Sequence, residues 1–566
     1  MTRLLVRPHD RATSAVSLLW FSLSLVCALL FGLRGMDGAF EEKYIIQDDA
    51  RQHVFWMQRF TDPELFPDDL IANYYQTVAP SGYTTLYRIG AAAGIDPIRL
   101  SKILPILLGL ITTAYCFGFT LQVLPVPFAA FLSSLLLNQA LWSRDDIVSA
   151  TARAFLYPLF LAFLYYLARR KFIPCLVALT LQALFYPSIA FVSAGMLALG
   201  LIAWKGKRPV ITRDRFTLWL CASGLAAIVI VLAFYASKSS GLGEVITASQ
   251  ARQMAEFQTG GRVSFFRDDY LFYLTRGIYS GLLPGHIPEL LWTAVLFPVL
   301  FLFKSRLPIL AKAGKLSILA HVMISSIFLF VAAHAVLFRL YLPSRYTQHT
   351  FRIVLCIVAA ISLVTILDIV IRWATRGRED RIHLRAIIGM TVIAALILML
   401  VIGSISLPDI PQRRFRVGKE AAFYDFFAAQ PKDAVIASLD DEADNIPSFS
   451  ARTVLVAREY ALPYHLRYYY QLRERGVDLI NAQYTRDLNE VKRFIEKHGV
   501  DFIVVDKKAF EPGYAKRNRL VQQFLPELAE RNDLATSALS SVMRECAVFE
   551  TERLIVVDAA RILGKS

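Results

Sequence analysis

The chain has 566 residues, of which 55% are hydrophobic and only 19% charged, and its mean hydropathy is +0.46. A water-soluble chain is near half apolar and about a quarter charged, so this composition excludes an ordinary soluble enzyme, and high hydrophobicity without low-complexity runs excludes disorder. The net charge of +15 resolves on inspection: from Asp409 onward 24 Lys and Arg balance 24 Asp and Glu, and the preceding part holds 37 basic against 22 acidic residues, a membrane-topology signal rather than a nucleic-acid footprint.

A helix needs about 20 apolar residues to cross about 30 Å of hydrocarbon. Eleven runs are candidates: 14–33, 102–122, 125–142, 152–168, 172–187, 188–203, 216–236, 288–303, 316–338, 353–371 and 386–407. The first exceeds a signal-peptide core and lacks a small-x-small cleavage site, so it reads as a retained anchor. The two runs that meet at Pro187 are both short, which leaves open that one of them is re-entrant. Alternate connections (1–13, 169–171, 204–215, 304–315 and 372–385) together carry 20 basic and 4 acidic residues. The positive-inside rule then puts the amino terminus in the cytoplasm and the carboxyl tail outside.

The first outer connection, 34–101, places Val54, Phe55, Met57 and Phe60 at helical spacing after Asp48-Asp49, which predicts a helix lying along the membrane surface. Residues 143–151, 237–287 and 339–352 form the other outer connections. Residues 1–407 thus form a transmembrane module, and 408–566 a separate extracytoplasmic α/β domain. In that domain, strand-like runs at Ala434–Ala437, Thr453–Val456, Phe502–Val505 and Leu554–Val557 alternate with helical stretches such as Leu488–His498. No Gly-rich phosphate loop follows any strand. Five of the six cysteines lie in apolar runs, so no disulfide framework is expected, and no zinc-type Cys/His spacing occurs.

The chemistry-bearing residues cluster on the outer side. "IIQDDARQH" sets Asp48 and Asp49 beyond the first span, and "LWSRDDIVSATAR" sets Asp145 and Asp146 between the third and fourth. Paired carboxylates at the membrane boundary act as a general base or hold a divalent cation; the alternative is a helix cap. Neighbouring helical residues point about 100° apart, so one member of each pair is expected to face a shared cavity. "FRLYLPSRYTQHTFR" offers His349 together with Arg339, Arg345 and Arg352, and the forked guanidinium groups of the three arginines match a lipid phosphate; headgroup snorkelling is the alternative. Arg267, Asp268 and Asp269 are further loop candidates, with an Arg–Asp pair ordering the loop as the other reading. Asp368, near the cytoplasmic end of its span, is expected to be paired or solvated. The spans hold almost no ionisable groups at mid-membrane, which argues against ion coupling.

"DDAR" and the second acidic site "SRDD" resemble the motifs of the GT-C superfamily of membrane glycosyltransferases, in the branch that uses lipid-linked sugars. The resemblance covers about residues 14–407 and implies a polytopic α-helical membrane protein of about 11 transmembrane helices with an external C-terminal α/β domain. By that resemblance Asp48 matches the first acid of the motif, the base in many members, and Asp49 stands where a Glu is expected. Asp145 and Asp146 match the second acidic site by location, and Arg345 lies where such enzymes bind a polyprenyl phosphate. No cofactor is demanded by the motifs; a divalent cation at Asp145 and Asp146 is the one candidate. The implied activity is inverting transfer of a sugar from a polyprenyl-phosphate donor to an extracytoplasmic glycan, lipid or protein, with Tyr44, Trp56, Tyr74 and Tyr75 as candidate sugar-stacking rings. The competing readings are a lipid-linked glycan flippase or exporter and a non-catalytic envelope scaffold. No nucleic-acid partner is expected.

Overall fold

The computed structural model describes residue 5 and residues 14–565, apart from 206–207, 286–287, 376–384, 386, 393, 396–397, 400–414 and 530–535. The run 386–407 therefore lies largely outside the described residues. The other ten runs are helical. They comprise α1 (Ala15–Gly35), α5 (Pro97–Val123), α6 (Pro127–Trp142), α7 (Leu156–Ala168), α8 (Phe172–Phe185), α9 (Pro187–Gly200), α10 (Arg215–Ser239), α11 (Leu316–Ala335) and α12 (Ser344–Thr375), with a tighter 3-10 to α segment over Glu289–Leu302. Among the described residues five helices, α1, α5, α10, α11 and α12, are long and apolar enough to cross a membrane; the others named are shorter.

The bundle is built around α6. Its sequence is apolar on every side, and all its residues but Phe128 are buried, packed by α1, α5 and α12. Trp142, at its end, fits only because glycines face it: a Cβ on Gly35 of α1 would sit 2.3 Å from the indole, and one on Gly109 of α5 would sit 3.1 Å away. Interhelical hydrogen bonds supplement the packing, with Asn138 donating to Thr113 Oγ1 at 2.8 Å and Ser134 to Ser24 Oγ at 3.2 Å. The outer helices instead present large exposed side chains: Leu18, Leu30 and Leu33 on α1, Trp219, Val229 and Ile230 on α10, Phe328 and Val331 on α11. A contiguous apolar surface of this kind is stable against lipid, not water, so the protein is an integral membrane protein.

The segment after α1 differs from the expected surface helix. It folds into β1 (Ile45–Gln47), α2 (Asp48–Val54), a 3-10 turn (Phe55–Phe60), α3 (Leu70–Val78) and α4 (Ser81–Ala92). Val54, Phe55 and Met57 are fully buried. Their apolar face is covered by protein rather than lipid: Phe55 packs on Tyr460, and Gln58 donates to the Pro447 carbonyl.

The tail carries β5 (Val435–Ser438), β6 (Thr453–Val454), α13 (Leu466–Tyr484), α14 (Leu488–His498), β7 (Phe502–Asp506), β8 (Ala547–Glu550) and β9 (Leu554–Asp558). They form a mixed sheet in the order β6-β5-β7-β9-β8, parallel on one side of β7 and antiparallel on the other. The four predicted strands and α14 are present; the short edge strand β8 was not anticipated. A second ladder joins the two halves of the chain, because β4 (Phe415–Val417) pairs antiparallel with β1. The loop 237–287 is also stitched to the tail, through Ile246 N–H donating to the Tyr464 carbonyl and a small apolar cluster containing Phe257, Phe265, Phe338 and Tyr464.

Gly35→Leu should overpack α1 against Trp142 and cost about 1–3 kcal/mol. A thermal-unfolding midpoint in detergent equal to that of the unaltered protein would contradict this packing.

Candidate functional site

Helix α2 starts where Gln47 caps it, its side-chain oxygen accepting from Ala50 N–H at 2.9 Å, with Asp48 and Asp49 in the first turn favoured by the helix dipole. Helical geometry sends the two acids to different neighbours. Asp48 faces the tail. It receives hydrogen bonds from Arg416 Nε and Nη2, both at 2.9 Å, and pairs with Arg51 at 2.9 Å. Burial alone would raise this carboxyl, but Arg416 and Arg51 outweigh it and hold Asp48 below the usual carboxylate range.

Asp49 faces the bundle. Its Oδ2 accepts from Arg153 Nη2 at 2.5 Å. Arg153 belongs to the 3-10 turn Ala152–Phe155 that precedes α7. The same guanidinium lies 3.7 Å from Asp145 and 3.3 Å from Asp146. The two acidic loops, nearly a hundred residues apart in sequence, therefore meet on one arginine. Burial pushes the Asp49 carboxyl above its ordinary value; Arg153 opposes the shift, and the like charges of Asp145 and Asp48 add to it.

Asp146 is the deepest of the three. It is ion-paired with Arg352, and Tyr157 donates to it at 3.1 Å. Burial would raise its carboxyl, yet the charges led by Arg352 and including Arg153 hold it well below the carboxylate range. The Arg153 guanidinium thus lies against Asp145 and Asp146, the candidate place for a divalent cation. Among the described residues no group of three His, Cys, Asp or Glu side chains is gathered to hold a metal, so the donor set does not fit one.

The arginine-rich segment departs from the expected loop, because α12 begins at Ser344 and converts most of 339–352 into helix. Arg352 and His349 are consequently buried, Arg352 to 2% exposure, and His349 shares a 2.8 Å hydrogen bond with Tyr157. Arg339 remains exposed, outside the cluster. Arg345, at the start of α12, is different. It is half-buried, its Nε is shielded from solvent without a partner, and among the described residues its guanidinium makes no hydrogen bond or ion pair. The charges of Arg153, Asp146 and Asp49 all reach it. Arg267, Asp268 and Asp269 lie exposed in their own loop: Arg267 stacks on Phe272, and Asp269 caps a short helix through Phe272 N–H.

The four candidate stacking rings are engaged elsewhere. Tyr44 packs on Tyr424, Trp56 on Phe60 and Tyr74 on Tyr468 at 3.7 Å, while the Tyr75 hydroxyl accepts from Gln52. Asp368 is paired with Arg372 at 2.8 Å, as expected.

The sequence reading missed the connectors. Arg51 bridges Asp48, Asn445 (2.7 Å) and Glu459 (3.1 Å), and Arg262 reaches Glu459 at 2.6 Å from the 237–287 loop. Arg153 had a visible signal, a lone cation opening an otherwise apolar run. Glu459 and Arg416 had none, because their significance depends on how the tail docks.

No known sequence family matches the chain, and no curated protein does. Solved structures share its fold. The oligosaccharyltransferase of Archaeoglobus fulgidus in its apo form superposes with a TM-score of 0.52 at 12% identity, covering 90% of this chain and 72% of that one. The archaeal oligosaccharyltransferase AglB from the same organism, in complex with an inhibitory peptide and a dolichol-phosphate, gives 0.52 at 12% identity over 91% and 72%. A form tethered to an acceptor peptide gives 0.50 at 12%, over 90% and 72%. The chain therefore shares the fold of these archaeal oligosaccharyltransferases, in keeping with the resemblance of its motifs to the GT-C superfamily.

Arg51 is 6% exposed and its partner Glu459 17%, so Arg51→Ala strands buried acids and should cost about 3–5 kcal/mol. Arg416 is half exposed, and Arg416→Ala should cost about 0–1 kcal/mol. Unfolding midpoints of the two variants that coincide would refute this ranking.

Proposed function

We propose that the protein is a glycosyltransferase that moves a sugar from a polyprenyl-phosphate donor to an extracytoplasmic acceptor. The observation that supports it most is the meeting of Asp49, Asp145 and Asp146 on Arg153, with the guanidinium of Arg345, unpaired among the described residues, in electrostatic reach. The proposed orientation keeps the amino terminus in the cytoplasm, following the 20-to-4 charge count of the alternate connections. It places the acidic cluster and the tail (408–566) at the outer boundary.

In this reading the donor phosphate lies against Arg345, which among the described residues has no ion-pair partner, whereas Arg352 is already committed to Asp146. The acceptor hydroxyl donates to Asp49 and attacks the anomeric carbon. The bond from that carbon to the phosphate oxygen breaks, and the departing phosphate keeps the electron pair, its charge balanced by Arg345. The proton remains on Asp49. One displacement inverts the anomeric centre. Asp49 takes the role that the motif resemblance assigns to Asp48, because Asp48 is held ionised and doubly paired beneath the tail, while Asp49 has the raised carboxyl of a better base. Arg153 spaces the carboxylates and balances part of their charge, without a metal in any step.

Transfer from a labelled polyprenyl-phosphate sugar, measured in reconstituted vesicles, tests this. Asp49→Asn should lower kcat by about 10²–10⁴-fold, and Arg345→Ala by about 10²–10³-fold. Asp48→Asn should cost much less. A base must be ionised, so kcat/KM should fall as pH drops through the raised Asp49 value, and that acidic limb should vanish in Asp49→Asn. Undiminished transfer by Asp49→Asn would overturn the catalytic reading; lipid-linked sugar crossing the vesicle bilayer without bond cleavage would favour a flippase.

A further inference from the structure

Helix α2 brings a third group to the carboxylate cluster. His53 follows Asp49 by four residues, which puts both on one helix face, about 6 Å apart along the axis. The His53 ring packs edge-on to Tyr75 with centroids 5.5 Å apart, and among the described residues it makes no hydrogen bond or ion pair. It is half-buried rather than sealed. Burial and the charges of Arg153, Arg262 and Arg345 push the imidazole down to about 4. At neutral pH it therefore carries one N–H donor and one bare nitrogen acceptor.

That chemistry selects among ligands. A phosphate prefers the three guanidinium groups already present, and a cationic ligand is repelled by them. A hydroxyl matches an uncharged donor and acceptor. A molecule whose reacting hydroxyl rests on Asp49 reaches His53 only with a second hydroxyl close to the first, since the gap is spanned by two hydrogen bonds of about 2.7–2.8 Å and the spacing of adjacent hydroxyls. We propose that His53 binds a second hydroxyl of the acceptor, and that the acceptor is accordingly a carbohydrate rather than a molecule with a lone hydroxyl such as a serine side chain. The inference rests on the transferase reading with Asp49 as base and adds the acceptor class and its binding residue.

The test uses the full chain in nanodiscs, with whichever C55-polyprenyl-phosphate hexose or pentose the unaltered protein cleaves. The acceptor probes are methyl glycosides and a serine-containing peptide. The expected result is transfer to the glycosides, with His53→Ala raising the glycoside KM at least tenfold while donor KM stays unchanged and kcat falls far less. His53→Asn, which keeps an uncharged donor and acceptor, should recover much of the affinity, and it serves as the folded variant if the alanine protein does not assemble. Transfer to the peptide and not to the glycosides overturns the proposal, as does an unchanged glycoside KM in both variants. The two failures are separable: an inactive Asp49→Asn beside a normal His53→Ala removes only the acceptor assignment, whereas a fully active Asp49→Asn removes the base on which it rests.

Discussion

The arrangement depends on one half-buried cation. Three carboxylates brought together where water is scarce repel one another and lose hydration, a cost of several kcal/mol per ion when nothing compensates. The Arg153 guanidinium compensates all three at once, because its broad planar charge donates a hydrogen bond to Asp49 and lies within ion-pair distance of Asp145 and Asp146. Arg352 then takes the far side of Asp146. With those two guanidinium groups in place, the acidic loops after α1 and after α6 can sit against each other at the end of the bundle. A lysine in place of Arg153 would offer a point charge with no such fork.

The charge left over is as informative as the charge paired. Arg345 stands at the head of α12 beside this network without a counterion of its own among the described residues. A half-buried guanidinium in that condition gains most from an anionic ligand, which is why the proposed donor phosphate is placed there. Burial, aided by the charges of Arg153, Arg262 and Arg345, keeps His53 neutral. One electrostatic field thus separates two kinds of subsite on neighbouring surfaces, a cationic one and an uncharged hydrogen-bonding one.

The tail is coupled to this chemistry through α2. Asp48 and Arg51 lie on the face of the helix turned away from Asp49, and they reach Arg416, Asn445 and Glu459. The β1–β4 ladder adds backbone hydrogen bonds to the same junction. A seven-residue helix is too short to be stable alone. It is held from both sides, by the bundle through Asp49 and by the tail through Asp48 and Arg51. The adjacent acids of "DDAR" therefore divide the work: one docks the tail and the other faces the proposed reaction.

Much of this was legible in the sequence. Apolar runs located the helices, since hydropathy reports the burial of whole segments, and short apolar runs alternating with helical stretches located the strands and α14 of the tail. The acidic pairs were legible as sites because charge is rare in this half of the chain, and their spacing on a helix predicted that one acid of a pair would turn inward. Whether that acid was Asp48 or Asp49 was not legible, since a helix fixes the angle between neighbours and not its own rotation against the bundle. The polar start of α12 was equally invisible to hydropathy, because Gln348, His349 and Arg352 are buried among partners supplied by distant segments. Amino-acid order by itself determined which segments prefer lipid and which carry rare charge, both being properties of local composition. Tertiary packing alone decided which charges cancel and which guanidinium stays unpaired, because a Coulomb interaction depends on distance in space and on the dielectric around it.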